Sequence, residues 1–225
     1  MALFHDRAHA GRVLSERLAA YAGRPDVVVL GLPRGGVPVA EQVAAALAAD
    51  LDVFVVRKIG VPGFEELAMG AVASGGVSVI NQEVVDRLNI SDEMFESVAR
   101  EAQGELEIRA RMYRGSRGSI PLSGRTVILV DDGLATGATM RAAVQAVRMH
   151  RPARIEVAVP VAAPDACEEL KTVADAVTCA STPEQFLSVG VWYEDFSQTS
   201  DEEVRDALAR RGRPEERLEP PSPPV

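Results

Sequence analysis

The sequence lacks several features that would point to particular classes of protein. Aromatic residues make up only 4% of its 225 residues, and no apolar run approaches the roughly 20 residues that a membrane-spanning helix needs. The formal net charge of -9 argues against non-specific nucleic-acid binding, because a phosphate backbone attracts a basic surface. The opening stretch MALFHDRAHAGR has no apolar core of signal-peptide length. These absences favour a globular protein of the cytoplasm that binds neither membrane nor nucleic acid.

Cysteine is scarce as well. The two cysteines, Cys167 and Cys179, make no CxxC pair, and two cysteines do not supply a disulfide framework. Because a free cysteine usually behaves as a small buried hydrophobe, we expect both to be reduced and packed in the core.

The sequence does contain short apolar runs that alternate with helical patterns. Buried strands are predicted at residues 26–31, 51–56, 125–130 and 154–160, a short strand at 77–80 and an edge strand at 176–179. Helices are predicted at 6–21, 37–49, 91–114, 137–150 and 164–172, with a further helix capped by residue 199 or 200. Residues 59–76 are predicted to form a loop with short ordered pieces. This alternation predicts an α/β fold, a parallel sheet flanked by helices.

Three unusual loops follow predicted strands: LPRGG, RKIGVPG and DDGLATGAT. Ligands of open α/β sheets bind at the carboxyl ends of the strands. The coincidence of three such loops therefore predicts a ligand site at that edge of the sheet.

The stretch VILVDDGLATGATM places two acids between an apolar strand and a helix. Its small residues and hydroxyls, at the N-terminus of that helix, form a natural phosphate cradle. The cradle comprises Ala135, Thr136, Gly137, Ala138 and Thr139. Asp131 and Asp132 suit the hydroxyls of a vicinal diol, or Mg²⁺ held through water. A ribose 5-phosphate satisfies both halves, while the alternative is an N-capping Asp in a tight turn.

The other two loops add positive charge. In LPRGG, Gly35 and Gly36 leave N–H groups exposed, and the forked cation of Arg34 suits a phosphate or pyrophosphate. Arg57 and Lys58 open the third loop. Taken singly, LPRGG also fits a tight turn with a surface Arg, and the Arg-Lys pair also fits a solvated strand end.

VILVDDGLATGAT resembles the phosphoribosyl-pyrophosphate (PRPP) signature of type I phosphoribosyltransferases, and the order of the loops is similar over about residues 27–161. The resemblance implies that Asp131 and Asp132 bind the ribose hydroxyls and that residues 135–139 hold the 5′-phosphate. It implies a pyrophosphate loop at Arg34, Gly35 and Gly36 with a cis peptide bond near Arg34. It also implies pyrophosphate contacts from Arg57 and Lys58, and a catalytic lid within residues 59–76.

The implied chemistry is displacement of pyrophosphate from C1 of the ribose by a nitrogen nucleophile, with Mg²⁺ as cofactor and Asp131 and Asp132 as its ligands, through water. Two departures concern the acceptor. Gly133 stands where the family usually has a branched apolar residue, and Ala135 stands where hypoxanthine-guanine enzymes usually have an Asp. The loop therefore supports ribose-phosphate binding without naming the acceptor.

Family members usually read the base with a small hood built from the chain ends. The resemblance thus implies one domain over residues 1–212, with a core at about 24–180, a hood from 1–22 and 181–212, and a disordered tail at 213–225. The candidate base contacts are Leu134, Phe186, Trp192 and Asp195, since a flat base favours an aromatic face and a few polar groups. The alternative is that these aromatics pin the C-terminal segment to the core.

The function that the sequence favours is a Mg²⁺-dependent phosphoribosyltransferase that transfers ribose 5-phosphate from PRPP to a nucleobase, a purine first, as in purine salvage. The alternative is a regulatory protein of the same fold that binds PRPP or nucleotides without turnover. A hydrolase that uses the paired acids for Mg²⁺ is a weaker possibility, because no nucleophile or base stands beside the cradle. A homodimer is expected, and the charged helix at 91–114 is either a solvated face or an oligomer contact.

Overall fold

The structure is a computed structural model that describes residues 2–211. The tail predicted at residues 213–225 lies outside the described residues. The strands are β1 Val27–Gly31, β2 Asp50–Val53, β3 Val56–Val61, β4 Phe64–Ala73, β5 Val77–Ile80, β6 Thr126–Val130, β7 Arg154–Val161 and β8 Ala176–Ser181. The α-helices are α1 Arg7–Arg17, α2 Gly36–Leu47, α3 Gln82–Leu88, α4 Asp92–Arg114, α5 Ala138–Met149, α6 Pro164–Leu170 and α7 Asp201–Arg211.

A five-stranded parallel sheet in the order β2-β1-β6-β7-β8 forms the centre of the molecule and confirms the predicted fold class. Strands β1 and β6 are buried along their whole length, as expected for strands covered on both faces. Alternate side chains of these strands enter two hydrophobic clusters, one shared with α1, α2 and α7 and the other with α5 and α6. The helices therefore cover both faces, and β8 lies at an edge as predicted.

The segment predicted as a loop at residues 59–76 is instead mostly β-structure. Strands β3, β4 and β5 form a second, antiparallel sheet, so the loop prediction was wrong while the short strand at 77–80 is confirmed. Pro62 and Gly63 form the turn of the β3–β4 hairpin, where Gly63 has a φ of +81°. Small residues such as Gly70 hid the strand because Gly and Ala carry little β-propensity. The predicted strand at 51–56 is likewise divided, because Phe54 and Val55 separate β2 from β3.

Helix α4 begins where predicted, with the Ser91 hydroxyl accepting a hydrogen bond from the Met94 N–H. One face of α4 is buried against β3, β4 and α7, through residues that include Phe95, Leu106 and Tyr113. Its other face carries exposed residues such as Ile108, so only part of the helix is a solvated face. Helix α3, just before it, was not predicted.

The two cysteines correct a prediction. Cys167 of α6 and Cys179 of β8 are joined by a disulfide, whereas the sequence predicted two reduced cysteines. Proximity through the fold decided this pairing, because α6 packs on β8. Between residues 2 and 211, no helix has both the length and the apolar character that a membrane crossing requires.

A buried ion pair fastens the end of α4 to the parallel sheet. The Asp52 carboxylate accepts hydrogen bonds from Arg114 Nε at 2.8 Å and from the Val53 and Ile120 N–H groups. The side chains of Asp52 and Arg114 are only 7% and 13% exposed. Removing one partner of such a pair leaves a buried charge without its counter-ion.

We therefore expect Arg114→Met to lower the free energy of unfolding by about 3 kcal/mol, as is typical when one member of a buried ion pair is removed. Chemical denaturation monitored by circular dichroism measures the change. Arg111→Met, at an exposed arginine of the same helix, is the control and should cost less than about 0.5 kcal/mol. Equal losses in the two variants would show that the pair does not hold α4 in place.

Candidate functional site

The loops that follow β1 and β6 lie side by side at the carboxyl edge of the parallel sheet. The two strands pair in register, with Gly31 opposite Val130. The Leu32 N–H continues the pairing by donating to the Val130 carbonyl at 2.9 Å. The structure thus brings LPRGG and DDGLATGAT together, as the sequence analysis expected of loops at strand ends.

The glycine pair of LPRGG lies directly against the two acids. A Cβ atom on Gly35 would lie 2.0 Å from Asp132 Oδ2, and one on Gly36 would lie 2.8 Å from the Asp131 Cα. No side chain fits at either position, so close approach of the loops requires both glycines. The Pro33–Arg34 peptide bond is cis, at the position that the family resemblance implied.

Each acid uses one carboxylate oxygen within the protein. Asp131 Oδ1 accepts a hydrogen bond from the Asp132 N–H at 2.9 Å, and Asp132 Oδ2 accepts one from Arg7 Nε at 2.8 Å. Among the described residues, neither Asp131 Oδ2 nor Asp132 Oδ1 has a hydrogen-bond donor. One oxygen of each acid therefore remains to receive a ligand.

The environment of the acids opposes their ionisation. Burial, reinforced by the charge of Asp132, holds the pKa of Asp131 well above its usual range. Burial also raises the pKa of Asp132, although the hydrogen bond and charge of Arg7 act in the opposite direction. The pair is therefore a partly desolvated concentration of negative charge that hydroxyl donors or a cation would stabilise.

Arg7 is a site residue that the sequence did not predict. This residue begins α1, whose N-cap is Asp6, and its side chain is only 12% exposed. Its guanidinium pairs with Asp132, donates through Nη1 to the Ser197 carbonyl at 2.6 Å and lies 4.0 Å from the centre of the Phe196 ring. No local signal marks it, because an Arg in the first turn of a helix is ordinarily a surface residue.

The predicted phosphate cradle begins α5. Ala135, Thr136 and Thr139 are exposed, and Gly137 is the N-cap with a φ of +68°. No side chain caps the helix, so its first N–H groups remain available to a ligand. The Ala138 N–H makes one long contact of 3.5 Å with the Thr136 hydroxyl. The exposed hydroxyls and the N-terminus of this 12-residue helix form a suitable environment for an anion.

The predicted cationic residues separate into two groups. Lys58 lines a cleft of about 510 Å³ together with Thr136 and Ala138 of the cradle. Arg34 is partly buried, and neither it nor Lys58 has a hydrogen-bond or ion-pair partner within residues 2–211. Arg57 forms an ion pair with Glu105 of α4, away from the cleft, because adjacent residues of a strand point to opposite faces. Arg57 is therefore the predicted cation that the structure does not bring to the site.

The predicted base contacts are largely engaged in packing. Leu134 is 3% exposed and its backbone pairs with Ala162, which places it in the core. The rings of Phe186 and Trp192 lie 6.4 Å apart and pack against a small cluster that contains Phe4 and Tyr193. The alternative weighed from the sequence, aromatics that pin the C-terminal segment, describes these contacts.

Two further observations concern this segment. Asp195 is exposed and accepts a hydrogen bond from the Ser197 N–H at 2.9 Å, so its carboxylate closes a local turn. Trp192 Nε1 is buried without a hydrogen-bond partner among the described residues. The chain ends meet here, since Phe4 forms a parallel bridge with Tyr193 and the Tyr193 hydroxyl donates to the Asp132 carbonyl.

The structure explains the departure at Gly133. A Cβ atom at this position would lie 2.6 Å from Val189 Cγ1, which belongs to the 3₁₀ helix Val189–Trp192 of the C-terminal segment. A branched residue at position 133 and Val189 compete for one space. Val189 of the C-terminal segment thus fills the space that a side chain at position 133 would occupy.

The acid pair also fits the expected metal. Within the described part of the chain, no three or more His, Cys, Asp or Glu residues cluster as a complete protein ligand set. Mg²⁺ does not require such a set, since it keeps several waters and is often held by one or two carboxylates together with substrate phosphates. The two carboxylate oxygens left without donors are hard ligands of the required kind.

Comparison with known proteins defines the class. A sequence model of the phosphoribosyl transferase domain matches residues 4–194, so the chain belongs to this family. The crystal structure of TT1426 from Thermus thermophilus is 45% identical, with a TM-score of 0.83, over 94% of this chain and 100% of that one. The recognition made from VILVDDGLATGAT and the fold prediction are therefore confirmed.

Curated relatives add detail. Two Mycobacterium tuberculosis proteins, named provisionally as phosphoribosyl transferases, are 48% identical over 213 residues, which is 95% of this chain and 48% of theirs. The chain thus spans about half the length of these relatives. The bifunctional protein PyrR of Chloroflexus aurantiacus is 33% identical over 140 residues, which is 61% of this chain and 57% of that protein.

We expect the buried Asp131 carboxylate to lower the free energy of unfolding of the protein. Its pKa is raised in the folded state, so the ionised form costs stability at pH values above that pKa, and the cost disappears as the pH falls through it. We expect Asp131→Asn to raise the free energy of unfolding by about 1 to 2 kcal/mol at pH 7.5, and by less at pH 5. Urea denaturation at the two pH values measures the difference.

Asp132→Asn is the matched control. It removes the same charge but also breaks the ion pair with Arg7, so no gain is expected. Wild-type stability of Asp131→Asn at both pH values would contradict the predicted cost.

Proposed function

We propose that this protein is a Mg²⁺-dependent phosphoribosyltransferase that transfers ribose 5-phosphate from PRPP to a nucleobase nitrogen, a purine first, and releases pyrophosphate. One observation carries the proposal. Two partly buried carboxylates, each with one oxygen that receives no donor from residues 2–211, lie between the LPRGG loop and the N-terminus of α5. A diol with a phosphate beside it matches this arrangement in both charge and hydrogen bonding.

The ribose end of PRPP is assigned to the loop after β6. Asp131 and Asp132 would accept the ribose hydroxyls through their free oxygens. Thr136, Thr139 and the first N–H groups of α5 would bind the 5′-phosphate, whose charge the helix N-terminus favours. Hydroxyl donors would also stabilise the ionised form of the acids, which burial otherwise disfavours.

The pyrophosphate end is assigned to Arg34 and Lys58, two cations without a partner in the described part of the chain. Arg34, next to the half-buried Gly35, and Lys58, which lines the cleft, would bind the leaving group. Gly36 is a weaker assignment than the sequence predicted, because it is buried and its N–H donates to the Leu32 carbonyl at 3.0 Å. Arg57 would contribute only after leaving Glu105, so it is a weaker assignment than Lys58. Mg²⁺, held by Asp131 and Asp132 through water, would neutralise pyrophosphate charge when bound.

The transfer needs little covalent chemistry from the protein. The bond between C1 and the pyrophosphate oxygen breaks, the acceptor nitrogen forms a bond to C1, and that nitrogen loses its proton to solvent or to the leaving group. Positive charge develops on the ribose ring while negative charge develops on the pyrophosphate. In this assignment Asp131 and Asp132 would face the ribose and Arg34 and Lys58 the leaving group, so that charges of the matching sign would stabilise the transition state.

The acceptor side supports a purine less directly. The chain ends place four aromatic residues within one short segment close to Asp132: Phe186, Trp192, Tyr193 and Phe196. Trp192 and Phe186, both partly exposed, are the aromatic contacts that we propose for the base. Leu134 and Asp195 are weaker assignments, because one is buried and the other closes its own turn. The cytoplasmic location and the homodimer stay predictions.

A regulatory protein that binds PRPP without turnover is the second candidate, favoured by the similarity to a protein named as bifunctional. Arg34 and Lys58, to which no described residue is paired, favour the enzyme, because a sensor of ribose phosphate alone has no leaving group to stabilise.

Pyrophosphate release from PRPP and Mg²⁺, measured with adenine, guanine, hypoxanthine, xanthine, uracil and orotate, tests the proposal. We expect release with a purine and at least a hundredfold loss in the double variant Asp131→Asn, Asp132→Asn, because both ribose ligands are gone. Arg12→Gln, at an exposed position of α1, is the control and should retain full activity. Saturable PRPP binding without release for any base would favour the regulatory protein, and unchanged PRPP affinity in the double variant would refute the site.

A further inference from the structure

Arg7 lies where three segments of the chain meet. Its Nε is 2.8 Å from Asp132 Oδ2, its Nη1 is 2.6 Å from the Ser197 carbonyl, and its guanidinium carbon lies 4.0 Å from the Phe196 ring centre. A Cβ atom on Gly35 would lie only 3.2 Å from Arg7 Nε, so the LPRGG loop borders the same ion pair. The N-terminal helix, the C-terminal segment and the acid pair are thus linked through one side chain.

The contacts of Arg7 fix the orientation of Asp132. The Asp132 carboxylate is held at Oδ2 from one side by Arg7, and the Gly35 backbone lies close against the same oxygen. The Tyr193 hydroxyl holds the Asp132 backbone carbonyl. Because Oδ2 is engaged, Oδ1 is the oxygen presented for a ligand. A carboxylate without Arg7 would be free to rotate and to present either oxygen.

The planar fork of the guanidinium explains why the contact orients rather than merely attracts. An arginine presents its donors in fixed directions, and here two of them are used on two different segments while an aromatic ring covers one face. An ammonium group would supply the charge without these directions. The side chains of Arg7 and Asp132 are 12% and 14% exposed, so solvent screens the pair only weakly.

We propose that Arg7 is a positioning residue for ribose recognition. It holds Asp132 so that the Asp132 Oδ1 receives one ribose hydroxyl. Because Arg7 also contacts the C-terminal segment, ribose recognition depends on the packing of the N-terminal helix against that segment. The inference rests on the proposed function of the acid pair. Arg7 acts through Asp132, so the expected signature is loss of discrimination at one hydroxyl rather than loss of phosphate binding.

The test uses the affinities of the full chain for ribose 5-phosphate, 2-deoxyribose 5-phosphate and 3-deoxyribose 5-phosphate, measured by calorimetry, with inorganic phosphate as a probe of the cradle alone. The Asp132→Asn variant first identifies the ribose hydroxyl that Asp132 binds. It is the hydroxyl whose removal from the ligand weakens binding to the wild type but does not weaken binding to this variant. In the wild type we expect that removal to weaken binding about tenfold or more, as for a hydrogen bond to a charged group.

Arg7→Gln should reduce the discrimination at that hydroxyl to less than about threefold, while the other hydroxyl and inorganic phosphate bind as in the wild type. Arg12→Gln makes the same change at an exposed position of the same helix and should keep the full discrimination. Arg7→Lys should restore only part of it, since the charge returns without the fork.

Three results separate the hypotheses. Wild-type discrimination retained in Arg7→Gln overturns the role of Arg7 and leaves the proposed function intact. No discrimination at either hydroxyl in the wild type refutes the proposed ribose site itself. If Arg7→Gln does not fold, Phe196→Leu decides, because it removes the ring beneath the guanidinium without touching Asp132. A loss of discrimination of at least threefold in Phe196→Leu supports the proposal. Unchanged discrimination in that variant overturns it.

Discussion

Two adjacent carboxylates lie at the end of a fully buried strand, and the structure around them accommodates their charge. Burial makes their charge expensive, and the neighbouring chain responds at each point of contact. Gly35 and Gly36 bring backbone instead of side chain against them, and Arg7 supplies the counter-charge. The N-terminus of α5 follows within a few residues, so an electropositive helix end lies beside the acidic pair. A ligand with hydroxyls next to a phosphate meets both kinds of charge at once.

The parallel sheet could be predicted from the sequence because its signals are local. Runs such as VVVL and VILV are apolar throughout, and the loops after them contain residues that only a special backbone or a ligand would require. The sequence therefore predicts that Asp131, Asp132, Gly35 and Gly36 lie at one edge of the sheet. The antiparallel sheet was missed because Gly and Ala in β4 resemble loop composition, although their small size lets α4 and β5 approach closely.

The parts that were not predicted depend on distant residues meeting. Arg7 and Asp132 are 125 residues apart, and nothing near either position indicates the pair. The Cys167–Cys179 bond and the fit of Val189 over Gly133 have the same origin. On the acceptor side the difficulty differs, since an aromatic cluster that packs a chain end and one that binds a base have the same composition. Only the three-dimensional packing distinguishes the packed Phe4–Tyr193 pair from a ring left open to a ligand.

The buried acids also have an evolutionary consequence. The fold disfavours ionisation of the Asp131 carboxylate, so most small polar replacements at this position would raise the free energy of unfolding. Selection for function is therefore needed to retain the acid. A lineage that ceased to use the site would gain stability by losing Asp131, while drift at Asp132 would strand Arg7 without its counter-ion. The two neighbouring acids should therefore decay at different rates once selection is relaxed, with Asp131 the first to disappear and Asp132 persisting as a structural relic.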